Sequence, residues 1–304
     1  MTADTFPPQD QGKVDVLGAQ LRYRIEGNGP ACLVVGSSVV YPREFSTNLR
    51  RHLRLVFVDL RHFVEPEQFL SADPSFDPGG ISLDTYADDI ELVREALDLG
   101  DVVVIGHSVH ANVALEYARR YPEHVRGVVA IGGWPTTEDG DAPGEAHWEA
   151  EASDDRKELL ARRAAELTPE VVASLSPSEL FVRRYVANGP WFWYDPTYDA
   201  SWLWDDALPD APVLQRLNEL LDPYDLAQGP GRIGMPVLIA QGRYEFGTPW
   251  TVWQANLHKL AQPTLAVFEK SAHTPQLEEP ERFDEVLLDW LASLSPERGS
   301  AALP

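Results

Sequence analysis

Cysteine is nearly absent. Cys32 stands alone among 304 residues, so neither an intrachain disulfide framework nor a cysteine-rich metal site can hold the chain together, and the fold must rest on packing. Positive charge is scarce as well: 25 Lys and Arg face 48 Asp and Glu, a net charge of −23. Long-range repulsion of that size works against nucleic acid, anionic membranes and polyanionic substrates. No apolar run reaches the length of a membrane-spanning helix, and residues 1–15 are polar, with acids and prolines where a secretory signal has a basic start and an apolar run. The expectation is a soluble, cytoplasmic protein whose partner is a neutral or cationic small-molecule substrate, with no nucleic acid and no membrane. Internal repeats, a metal-ligand cluster, a dinucleotide fingerprint and a phosphate loop are all missing, so neither a metal nor another cofactor is expected. Nothing specifies an oligomeric state.

What is present is a pattern of short apolar runs. Hydrophobic residues make up 44% of the chain, enough for a substantial core. Segments 14–17 and 21–25 read as a hairpin at a sheet edge, with Gly18 in the turn. Further strands are expected at 32–35, 53–59, 102–105, 128–131, 237–241 and 264–268, separated by helical or turn material. Such alternation implies an α/β fold, a mostly parallel sheet with helices on both faces. A helix capped by Ser82 should run to Leu97, another from Ala111 to Arg120, and a last one over 281–294. Between Trp134 and Gly234 the alternation stops. The reading is therefore a core of residues 1–133 and 235–296, a helical cap over 134–234 and a disordered tail, 297–304. The cap's first part, 138–166, is acidic and reads as loop plus polar helix, whereas 181–204 is rich in aromatics. Tyr185, Trp191, Trp193, Trp202 and Trp204 are expected, with Trp134, to line a pocket. Gly189-Pro190 and Gly229-Pro230-Gly231 are either hinges or rigid turns.

The densest signal is the run 102–111, Val-Val-Val-Ile-Gly-His-Ser-Val-His-Ala. It reads as a buried strand, a sharp turn with Ser108 at its apex, and a helix whose first amides can hold an oxyanion. Glycine is usual where His110 stands, so His110 must either repack locally or face the pocket. A serine hydroxyl needs a base, and the base an orienting acid. His273 follows the 264–268 strand and precedes the last helix, at the sheet edge where catalytic groups collect. Glu245, in the loop after the 237–241 strand, is the candidate acid. The backbone amide of Val109 is one expected oxyanion donor. The other comes from the loop after the 32–35 strand, where Ser37 or Ser38 would supply it, and Ser38 is preferred. His107 flanks the serine and is placed in the pocket together with Ser37 and His110. His62, after another strand, is a weaker rival as the base and a candidate to line the pocket.

Taken together these residues resemble the α/β-hydrolase superfamily. Gly106-His107-Ser108, followed by Val113-Ala114-Leu115-Glu116-Tyr117-Ala118 and Tyr121-Pro122-Glu123-His124-Val125, is similar to the elbow of its esterases and proline iminopeptidase-like members. The run from His273-Thr274-Pro275 to Arg282-Phe283 resembles the family's histidine loop. Gly36-Ser37 stands where members usually carry His-Gly, and Asp59-Leu60-Arg61-His62-Phe63-Val64 where they carry Asp-x-Arg-Gly-x-Gly. The resemblance implies a serine hydrolase acting on an ester, lactone or activated amide of a medium-sized, largely apolar substrate. The alternatives are an aminopeptidase, for which Glu179, Asp195, Asp199, Asp205 or Asp206 would bind the substrate ammonium, and a hydrolase fold reused for ligand binding.

Overall fold

The computed structural model describes residues 7–64, 80–229 and 231–294; the expected tail, 297–304, lies outside them. Eight strands form one sheet: β1 (Asp10–Val16), β2 (Ala19–Glu26), β3 (Ala31–Gly36), β4 (Arg54–Asp59), β5 (Val102–His107), β6 (Val125–Ile131), β7 (Pro236–Gly242) and β8 (Gln262–Phe268). Their spatial order is β1-β2-β4-β3-β5-β6-β7-β8. The β1–β2 and β2–β4 pairs are antiparallel, and every other pair is parallel. The hairpin is thus the antiparallel edge that its alternation predicts.

The β-branched runs of the central strands are needed because both faces of the sheet are covered. Alternate residues split between two core layers. Leu33, Val35, Val56, Val58, Val102 and Val104 pack on one side with Tyr86, Ile90, Val113 and Tyr117. On the other side Cys32, Val34, Leu55, Phe57, Val103 and Ile105 meet Phe283, Leu287 and Trp290 of the last helix, Pro280–Ser293. Each of those three anchors contributes roughly 1.5–3 kcal/mol by leaving water. The helix Leu83–Ala96 begins at Ser82, whose hydroxyl accepts from the Thr85 amide in a reciprocal capping box.

Between β6 and β7 the described residues form helices and turns, as the loss of alternation implies. They include Ala142–Glu151, Asp154–Ala165, Pro177–Ala187 and Ala211–Leu221. Gly189 and Pro190 are buried and open the short helix Gly189–Phe192. Pro230 is outside the described residues, while the carbonyl of Gly231 accepts from Arg119. Among the described residues no helix is long and apolar enough to cross a membrane.

Candidate active site

Strand β5 delivers Ser108 to the top of the sheet. There the chain reverses into the helix Val109–Arg120, with Ser108 at φ 59°, ψ −135°. A non-glycine residue held at positive φ is strained, and strain of this kind gathers at functional sites. The turn is pinned by the Ser108 amide donating to the Ile131 carbonyl (2.8 Å) and the Ala111 amide donating to the Ser108 carbonyl (2.9 Å). A β-carbon on Gly106 would lie 2.1 Å from the His110 carbonyl oxygen, so this turn admits only glycine there. Val109 is the first helical residue, and its amide has no partner within the helix.

Glu245 and His273 meet because two loops touch at Gly242. A β-carbon there would come within 2.0 Å of the Ala272 carbonyl oxygen, and the Tyr244 amide donates to the Ser271 carbonyl (3.0 Å). The buried Glu245 carboxylate spends one oxygen on the Gly247 amide (2.7 Å). Its other oxygen accepts a short hydrogen bond from His273 Nδ1. Burial would by itself lower the basicity of His273, but the adjoining carboxylate outweighs it and the imidazole is held above its ordinary value. With Nδ1–H committed to Glu245, Nε2 is the nitrogen left to take a proton.

Ser108, His273 and Glu245 line one cavity of about 320 Å³. Of the other expected residues, Ser37, His107, Val109, His110, Trp134, Tyr185 and Trp204 line it too. Three do not. Trp191 stacks on Trp148 (4.8 Å between centroids) and leans on Phe246. Trp193 is buried with Ala200 and Leu203, and Trp202 donates from Nε1 to the Tyr198 hydroxyl (3.0 Å). Their indoles fasten the helical segment, and Trp193 and Trp202 border a separate outer groove. None of Glu179, Asp195, Asp199, Asp205 and Asp206 lines the cavity.

Ser38 requires a correction. Its amide donates to Asp59 Oδ1 (2.6 Å), and the same carboxylate accepts from Arg22 (2.5 Å). An amide bonded to a buried carboxylate is not free for an oxyanion. Ser37, by contrast, lines the cavity, and its hydroxyl accepts from the amides of Val39 (3.2 Å) and Val40 (3.1 Å).

His110 both repacks its surroundings and faces the cavity. Its Nδ1 makes a short hydrogen bond with the Tyr41 hydroxyl, and its Nε2 meets His62 Nε2 at 2.8 Å, so one ring donates and the other accepts. Burial pushes His62 down to about 3 and His110 well below its ordinary value, leaving both neutral. Phe181 and Phe192, from the aromatic-rich segment 181–204, line the cavity too, and so do Tyr41, Glu44 and Asn218, which were not singled out in the sequence. No local pattern marks those last three; the proximity of Tyr41 and Glu44 to the loop after β3 was their signal.

The sequence model of the alpha/beta hydrolase fold matches residues 34–280. The AB hydrolase superfamily protein YclE of Bacillus subtilis (strain 168) is 36% identical over 277 residues, covering 90% of this chain and 96% of that protein. A proline iminopeptidase of Heyndrickxia coagulans is 27% identical over 231 residues, 70% of this chain and 74% of that enzyme. Among solved structures, a thermophilic esterase from Thermogutta terrifontis superposes with a TM-score of 0.64 at 18% identity, covering 93% of this chain and 98% of the other.

Proposed function

The chain belongs to the alpha/beta hydrolase fold family, and from that premise we propose that it is a serine hydrolase cleaving an ester, lactone or activated amide of a medium-sized, neutral, largely apolar substrate. The observation that carries this reading is the buried Glu245–His273 pair lining the same cavity as a serine held at positive φ. In the proposed reaction Ser108 Oγ attacks the substrate carbonyl while His273 Nε2 takes its proton. The Val109 amide stabilises the oxyanion. The Ser37 hydroxyl, already accepting two amides, has its own O–H left to donate and is the proposed second donor. His273 then protonates the leaving group, and water, activated by the same imidazole, releases the acid from the acyl-enzyme. Segment 134–234 acts as a cap over a core of 1–133 and 235–296, and its Tyr185 and Trp204 supply apolar wall to the cavity.

The aminopeptidase reading draws on the iminopeptidase relative. It needs a carboxylate to hold an ammonium group, and the cap acids expected for that role lie away from the cavity, which favours the neutral substrate. The test is intact mass after treatment with a small fluorophosphonate, alongside turnover of an acyl ester and a prolyl amide of one chromophore. One adduct on Ser108, absent in Ser108→Ala, with the ester preferred, is the expected result. A folded protein without an adduct, or Ser108→Ala with full ester turnover, overturns the reading.

A further inference from the structure

We propose that Glu44 is a positioning residue for His273: its carboxyl ties the loop after β3 to the histidine loop through Gln276, and its charge acts on the imidazolium formed there. The proposal rests on the serine-hydrolase reading for its kinetic consequence only.

Glu44 ends the short helix Tyr41–Glu44 and is buried. One carboxyl oxygen, Oε2, accepts from Gln276 Nε2 at 2.8 Å. Gln276 sits in the helical turn Pro275–Glu278, three residues beyond His273. The same oxygen lies 3.6 Å from His107 Nδ1. The other nitrogen of His107, Nε2, reaches the backbone carbonyl of His273 at 2.9 Å. A carbonyl can only accept, so the proton of His107 is on Nε2, and its Nδ1 lone pair faces Glu44. The His107 and His273 rings lie 4.8 Å apart. Two hydrogen bonds therefore hold the loop of the base from this corner, Gln276 to Glu44 and His107 to the His273 carbonyl, with Glu44 packed beside His107 and not bonded to it.

The groups facing Glu44 are Tyr41 on its own helix, His107 from β5, His273 and Gln276 from the histidine loop, and Tyr185 and Tyr198 from the helical segment. Arg43 beside it turns away to the Leu203 carbonyl. Glu278, which also acts on His273, accepts from the amides of Tyr194, Ala272 and Thr274. None of these is a cation fixed against Glu44. Burial pushes the carboxyl up to about 8, with the Gln276 bond and the charge on His273 opposing. It is therefore uncharged at neutral pH and becomes a carboxylate as pH passes about 8. A negative charge there raises the basicity of His273 and stabilises the imidazolium, so the sign is a gain in rate on the alkaline side.

The experiment follows His273 by imidazole NMR and kcat/KM against pH, in wild type, Glu44→Gln and Glu44→Leu. In wild type the His273 resonance should show a second inflection near pH 8, and kcat/KM a second rise; Glu44→Gln should abolish both. Glu44→Leu, which removes the acceptor for Gln276, should lower kcat by about 10- to 100-fold with KM within about twofold, and Glu44→Gln should recover part of that loss. Retention of the second inflection in Glu44→Gln overturns the proposal, as does a folded Glu44→Leu with wild-type kcat. If the leucine variant fails to fold, the NMR titration of Glu44→Gln decides alone. That titration needs no turnover, so an absent Ser108 adduct would sink the hydrolase reading separately.

Discussion

At Ser37 and Ser38, neighbours with the same side chain, opposite local fates follow from which atoms Asp59 and the following amides reach. The Ser38 amide is held by the Asp59 carboxylate at 2.6 Å, whereas the Ser37 hydroxyl receives the Val39 and Val40 amides and lines the cavity. Removing one preorganised donor from an oxyanion site costs on the order of 100-fold in kcat. Ser37→Ala should therefore lower kcat for an ester by about that factor with little change in KM, and Ser38→Ala should not, since its side chain is absent from the cavity. Steady-state kinetics of the two variants check this directly. Sequence order was enough to single out Ser108, Glu245 and His273 as candidates. It could not distinguish the two serines, because the discriminating partner, Asp59, is 21 residues away from Ser38.

The elbow shows what an element demands of its residues. The first turn of the helix Val109–Arg120 folds back on β5, bringing the His110 carbonyl against Gly106. Gly106→Ala inserts a methyl where only 2.1 Å is available, and the obstacle is backbone, not a flexible side chain. We expect a loss of about 2 kcal/mol or more, read from urea midpoints, together with loss of the Ser108 adduct as the turn shifts. Strands and helices of this kind were legible because period and burial coincide: every residue of β5 is buried, and its run of valine and isoleucine reports that directly. The helical segment was legible only as a segment. Which of its aromatics face the cavity depends on how the helices lie against the core, so Tyr185 and Trp204 reach it while Trp191, Trp193 and Trp202 fasten helices to one another.

For the whole molecule, buried titratable groups act on stability from both sides of neutrality. Burial pushes His62 and His107 down to about 3. The unfolded chain binds protons there below about pH 6.5, while the folded chain does not until near 3, so stability falls as pH drops through that window. Burial raises Glu44 to about 8 from an ordinary value of 4.5. The unfolded chain releases that proton first, so stability falls as pH rises between those values. Two histidines outweigh one carboxyl below pH 6.5, so the expected Tm profile is a dome with its maximum near roughly pH 6.5. His62→Gln should flatten its acid side and Glu44→Gln its alkaline side in differential scanning fluorimetry; unchanged slopes would show these groups do not titrate as buried.

The layered α/β architecture, the eight strands and the order serine, acid, histidine along the chain are each written in short-range periodicity, turn residues and spacing. Which polar groups share a partner is settled only on folding: Ser38 with Asp59, His62 with His110, and Glu44 with Gln276. Those pairings join residues 21, 48 and 232 positions apart. Burial makes a lost hydrogen bond costly, and so enforces each pairing once the core has closed. No local pattern encodes it, since the same side chains exposed on a surface would have satisfied themselves with water.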